Sequence, residues 1–129
     1  MVDGPVGIVL VEDNEVFREA LELLLGLRDD VRVVASVGDG AEAASVCAEL
    51  RPDVVLMDYR LPGLDGVQAT AAVRAASPNS AVVCLTASAN LREVDALYAA
   101  GAVACLSKDQ ELDEIVAAIH DAVRAGRMG

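Results

Sequence analysis

Five short runs dense in valine, leucine and isoleucine recur along the 129-residue chain, at Gly7–Val11, Val31–Val37, Val54–Met57, Ala81–Leu85 and Ala102–Leu106. Each is a continuous apolar run, the pattern of a strand covered on both faces. Between them apolar residues return at helical spacing. This is clearest at Leu112, Ile115, Val116, Ile119 and Val123, and again at Ala43, Val46, Cys47 and Leu50, so amphipathic helices are predicted there. Asp39 with Glu42 three residues later predicts an acidic capping box, and Gly101 and Gly126 stand where helices are expected to end. Pro62-Gly63 and Ser77-Pro78-Asn79 mark loops.

Strand starts fall roughly 20 to 30 residues apart, enough for the crossover a parallel pair needs and too long for hairpins. Five β-α repeats predict an open, doubly wound parallel sheet with five helices on its two faces. Residues 1–6 read as a lead-in, 7–125 as one domain and 126–129 as a tail. No internal repeat or second domain is evident.

Composition narrows the functional classes. A net charge of −11 repels phosphate backbones and anionic lipid, and the nine arginines form no basic stripe. No direct nucleic-acid binding and no membrane association are expected. Apolar runs stay well short of the roughly 18 to 20 residues that span a bilayer, and the acidic N-terminus lacks a signal pattern, so a soluble cytoplasmic protein is expected. Cys47, Cys84 and Cys105 match no zinc spacing and are expected to be buried, reduced thiols. Aromatics are limited to Phe17, Tyr59 and Tyr98, which removes stacking-based recognition. Lys108 is the only lysine.

Open parallel sheets bind ligands outside the carboxyl ends of their strands. The residues there are Glu12-Asp13 after the first run, Asp58 after the third, Thr86 after the fourth and Ser107-Lys108 after the fifth. With a strand order of 2-1-3-4-5 the first strand is central, and Glu12, Asp13 and Asp58 converge on one rim. Two such charges about 4 Å apart repel by roughly 4 kcal/mol at an effective dielectric near 20, so the cluster calls for a cation. A hard divalent ion with oxygen ligands answers that need, and Mg²⁺ fits best. With Glu12 or Asp13 holding the ion and Asp58 sharing it, an oxygen of Asp58 becomes a nucleophile toward a phosphoryl group. Lys108 supplies a point charge and Thr86 a hydroxyl donor. Taken singly, the acids are ordinary N-caps, first-turn charges or turn formers, and Thr86 an ordinary cap. Those explanations give no reason for three acids, a hydroxyl and the sole lysine to share one end of four strands.

These residues carry a resemblance. The segments Val9–Asn14, Val55–Gly66, Leu85-Thr86-Ala87, Gly101-Ala102 and Leu106–Asp109 together resemble the receiver domains of two-component response regulators, over nearly the whole chain. The resemblance implies a flavodoxin-like fold. It further implies Asp58 as phosphoacceptor, Glu12 and Asp13 as Mg²⁺-binding acids, the Arg60 backbone carbonyl completing the metal shell, Thr86 as switch hydroxyl and Lys108 as phosphoryl contact. The form of the segment around Asp58, and Lys-Asp where Lys-Pro is common, look most like receivers that precede a LuxR-type helix-turn-helix output. The implied partners are a sensor histidine kinase and an output domain or a second receiver. A homodimer would use either helix 4, strand 5 and helix 5 or helices 1 and 5. No output domain lies in the 129 residues, so an excised receiver is expected ahead of a free-standing one. One departure stands out: Cys105 occupies the strand-five position where the family usually has Tyr or Phe, and Tyr98 on helix four is expected to contribute to the switch face instead.

Other readings fit less well. A degenerate receiver acting by phosphorylation-independent protein contact would not need all five pocket residues. A flavin or nucleotide binder needs a Gly- or Ser/Thr-rich turn after strand one, where this chain has Glu12-Asp13-Asn14-Glu15. An aspartyl phosphatase needs a second acid two residues past Asp58, where Arg60 stands. Only slow self-dephosphorylation is expected, with Arg60 and Ser88 influencing water access. His120 is expected to be a surface or partly packed residue without a phosphorelay role.

Overall fold

The computed structural model describes residues 4–87 and 89–128, with backbone alone for 126–128. Strands and helices alternate strictly: β1 Val6–Val11, α1 Glu15–Gly26, β2 Val31–Val37, α2 Gly40–Leu50, β3 Val54–Met57, α3 Gly66–Ala76, β4 Ala81–Thr86, α4 Leu91–Ala100, β5 Ala102–Ser107 and α5 Leu112–Met128. The strands form one parallel sheet in the order β2-β1-β3-β4-β5.

Side chains of a strand point alternately to opposite faces, and the sheet uses this to build two apolar layers. On one face Ile8, Leu10, Val54, Leu56, Val83 and Leu85 pack with Leu21 and Leu25 of α1 and Ile115, Val116 and Ile119 of α5. On the other, Val9, Val11, Val55, Met57, Val82 and Cys84 pack with Ala43 and Cys47 of α2, Ala69 and Val73 of α3 and Leu97 of α4. Burial on both faces is therefore found in β1, β3 and β4, relaxed only at Gly7 and Ala81. It is not found in β2 and β5, which are the sheet edges and expose Val34 and Val103. An apolar run alone does not distinguish a central strand from an edge strand.

Three helix signals read differently in three dimensions. Asp39 does cap α2, but it accepts from the Ala41 N–H, and the Glu42 N–H goes to the Asp39 carbonyl, so no reciprocal box forms there. Reciprocal boxes form instead at Asp65/Gln68 and Asn90/Glu93. Gly101 ends α4 with φ +118, as expected, whereas α5 runs past Gly126 to Met128. Leu50, placed by its spacing on the apolar side of α2, is exposed in the last turn.

Candidate functional site at the carboxyl rim of the sheet

The central position of β1 brings its C-terminal loop beside that of β3. The Asp58 N–H donates to the Val11 carbonyl at 3.0 Å and the Glu12 N–H to the Val37 carbonyl at 3.0 Å, so the ladder extends into the acidic residues. The Glu12 carbonyl accepts from the Arg18 guanidinium at 2.7 Å. Asn14 caps α1 by accepting from the Phe17 N–H, and its own N–H donates to Glu12 Oε2 at 3.0 Å. The β5–α5 loop is fixed in turn by the Lys108 N–H, which donates to the Thr86 carbonyl at 2.9 Å.

As a result Lys108 Nζ lies 2.5 Å from Glu12 Oε1 and 3.3 Å from Asp58 Oδ2. One carboxylate oxygen from each of Glu12, Asp13 and Asp58 lies within 4.8 Å of the others. Glu12 and Asp58 are buried and Asp13 is exposed. Burial pushes the Glu12 carboxyl above its ordinary value; hydrogen bonds from Lys108 and Asn14 pull it down, and the charge of Asp58 raises it further. Lys108 thus pairs with the two buried carboxylates, and Asp13 adds a third negative charge beside them. An all-oxygen donor set with surplus negative charge and one side open to water fits a hard divalent cation such as Mg²⁺.

The β3–α3 loop closes tightly over this rim. The Gly66 N–H donates to the Tyr59 carbonyl at 2.6 Å, and a Cβ at Gly66 would lie 2.6 Å from the Asp58 carbonyl oxygen. Arg60 lines a shallow groove with Asp13, Tyr59, Leu61, Pro62 and Asp65. Its guanidinium stacks 5.3 Å from the Tyr59 ring centroid and approaches Glu93, which completes the Asn90 capping box of α4, at 3.7 Å. Ser88 lies outside the described residues.

Thr86, the last residue of β4, is buried and borders a cleft lined also by Ala87, Ala89, Val94, Cys105, Leu106 and Ser107. Cys105 is half-buried, so the expectation of buried thiols holds for Cys47 and Cys84 and only partly for Cys105. Burial raises the thiols of Cys47, to about 11, and Cys84, to about 12. Tyr98 is 46% exposed on α4 and does not line the cleft. His120 is half-buried and bonded to Asp30 at 2.8 Å, partly packed as expected.

A model of the response regulator receiver domain matches residues 8–120. The chain belongs to this family. Among curated relatives, the receiver is 35% identical over 114 residues to the transcriptional regulatory protein LnrK of Bacillus subtilis, covering 88% of this chain and 52% of LnrK. It is 32% identical over 124 residues to LiaR of the same organism, covering 96% and 57%. The chain spans about half the length of these relatives. The solved signal receiver domain of NarL from Mycobacterium tuberculosis superposes with a TM-score of 0.88 at 36% identity, covering 94% of this chain and 98% of that one. A LuxR-family response regulator from Aurantimonas superposes with a TM-score of 0.87 at 30% identity, covering 94% and 86%. Glu12, Asp13, Asp58, Thr86 and Lys108 all lie at the carboxyl ends of β1, β3, β4 and β5. Sequence reasoning passed over two neighbours, Phe17 and Arg18. Their signal was faint: they follow the acidic pair within the first turn of α1, and Phe17 is the chain's only phenylalanine.

Proposed function

We propose that this receiver is a Mg²⁺-dependent phosphoacceptor, with Asp58 as the acceptor and a sensor histidine kinase as donor. The observation that carries the reading is the convergence of one carboxylate oxygen each from Glu12, Asp13 and Asp58 within 4.8 Å, with a single ammonium paired to Glu12 and Asp58. Glu12, Asp13, Asp58 and the Arg60 backbone carbonyl would hold the cation, which supplies neutralisation of charge on the carboxylates and the phosphoryl oxygens. A carboxylate oxygen of Asp58 attacks phosphorus, the phosphorus–nitrogen bond of the donor imidazole breaks, and the electron pair leaves on that nitrogen. Lys108 then faces the phosphoryl oxygens as a point charge, and Thr86 donates a hydroxyl hydrogen bond.

The added charge and acceptor oxygens draw Thr86 and Lys108 inward and alter the face formed by α4, β5 and α5. Thr86 and Cys105 border one cleft with Val94 of α4, which gives this change a short path to that face. Tyr98, exposed on α4, takes the part of the missing strand-five aromatic. The output is changed association: with a second receiver, through that face or through α1 and α5, or with a LuxR-type DNA-binding domain that regulates transcription. Hydrolysis of the acyl phosphate is slow and intrinsic, and the protein works in the cytoplasm. No helix among the described residues is long and apolar enough to cross a membrane.

The test is intact mass after incubation with Mg²⁺ and a small acyl-phosphate donor. Wild type gains one phosphoryl group and Asp58→Asn gains none. An adduct on both places the acceptor elsewhere, and none on either favours a phosphorylation-independent contact module.

A further inference from the structure

The Lys108 ammonium has a third neighbour besides its two carboxylates. Its Nζ lies 4.5 Å from the centroid of the Phe17 ring, inside the roughly 6 Å over which a cation is attracted to an aromatic face. Phe17 is not placed there by chance of rotation. Its backbone N–H is bonded to Asn14 Oδ1 at 2.9 Å in the α1 cap, and its ring packs against the apolar layer beneath α1 and α5. The ring is thus anchored on a rigid element, whereas Lys108 is a flexible four-carbon stem whose ordering costs rotamer entropy.

Glu12 and Asp58 hold the ammonium by charge, and at 2.5 and 3.3 Å those contacts dominate. Both carboxylates belong to the proposed cation site, however, so their charge is shared once a divalent ion is bound. The ring competes for no metal. It remains as the contact that keeps Nζ over the rim when the carboxylates are otherwise engaged.

We infer that Phe17 is a positioning residue for phosphoryl transfer: its ring face holds the Lys108 ammonium where the incoming phosphoryl oxygens will need it. The inference rests on the phosphoacceptor reading of Asp58. A purely structural Phe17 would fill volume, and only its shape would matter. A positioning Phe17 acts through the negative face of its ring, so its electronics matter at constant shape.

The experiment replaces Phe17 with 4-fluoro-, 3,5-difluoro- and 3,4,5-trifluorophenylalanine, which keep the shape and progressively weaken the ring quadrupole, and with Phe17→Tyr and Phe17→Leu. Two readouts are taken. The first is the Lys108 ε-methylene resonance in the metal-free protein, expected upfield in wild type and Phe17→Tyr and at its ordinary position in Phe17→Leu. The second is the initial rate of acyl-phosphate labelling with Mg²⁺. It is expected to fall stepwise with fluorination, to drop about fivefold in Phe17→Leu and to be retained in Phe17→Tyr. Equal rates across the fluorinated series, or an unshifted Lys108 resonance in wild type, overturn the inference. Absence of labelling in wild type overturns the phosphoacceptor reading and the positioning role together, and a shifted resonance in the same sample identifies that reading as the part at fault. Phe17→Leu is checked for folding by urea denaturation, and the fluorinated series carries the conclusion if it unfolds.

Discussion

At the rim the decisive quantity is charge at short range. Glu12, Asp13 and Asp58 repel one another, and Lys108 compensates the two buried acids but not the exposed one. Asp13 therefore costs stability in the metal-free protein. Because it faces water, screening limits the effect to about 1 kcal/mol. Asp13→Asn is expected to raise the metal-free melting temperature by about 4 °C, read by scanning calorimetry. Millimolar Mg²⁺ should raise the wild-type melting temperature and should do much less for Asp13→Asn or Asp58→Asn. An equal Mg²⁺ response in all three proteins would place the ion away from these carboxylates.

Elements set the distances on which those charges depend. The β3–α3 loop can lie against the rim only because residue 66 has no Cβ; the Asp58 carbonyl oxygen and Tyr59 Cα would each be 2.6 Å from one. Both are backbone atoms and cannot swing aside. Gly66→Ala is expected to destabilise the domain by about 3 kcal/mol, seen as a lowered urea midpoint, and to weaken Mg²⁺ binding. A second tie joins α5 to the turn before β2. Asp30 accepts from Arg28 at 2.9 and 3.1 Å and lies 2.8 Å from His120 of α5. The Arg28 hydrogen bonds, followed by that of His120, hold the Asp30 carboxyl well below the usual carboxylate range. Its folded value is thus lower than its unfolded one, so the contribution is complete above about pH 4 and is lost as pH falls toward the folded value. The pair is more than one-third exposed on the Asp30 side, which keeps the contribution to about 1 kcal/mol or less. Denaturation of Asp30→Asn should show lower stability than wild type at pH 6 and a smaller loss between pH 4 and pH 2.

For the whole molecule the governing number is the net charge of −11. Two copies repel, so association needs apolar contact and strengthens as salt screens the repulsion. Exposed apolar side chains lie on α1, at Val16 and Leu23, at Leu27 just after it, and around α4 and β5, at Leu91, Tyr98 and Val103. We expect sedimentation of the phosphorylated receiver to show association that Tyr98→Ala weakens more than Leu23→Ala, with both improved by salt. The reverse ranking would move the interface to the α1–α5 side.

How much of this was legible in one dimension follows from the range of the forces involved. Strand runs, helix periodicity and the Gly101 cap are local, so the alternating parallel architecture could be read from the residues, while the order 2-1-3-4-5 came with the resemblance to receiver domains. The pocket could be read because a parallel sheet gathers strand ends on one rim, turning Glu12, Asp58, Thr86 and Lys108 from distant positions into neighbours. Edge exposure of β2 and β5, the choice of Asp65/Gln68 and Asn90/Glu93 over Asp39/Glu42 as reciprocal caps, and the Asp30–His120 tie were not legible, since each depends on what packs alongside. The same holds for Phe17. A chain can specify an aromatic residue in the first turn of a helix, but only the packing of α1 against the sheet brings its ring to within 4.5 Å of an ammonium 91 residues further along.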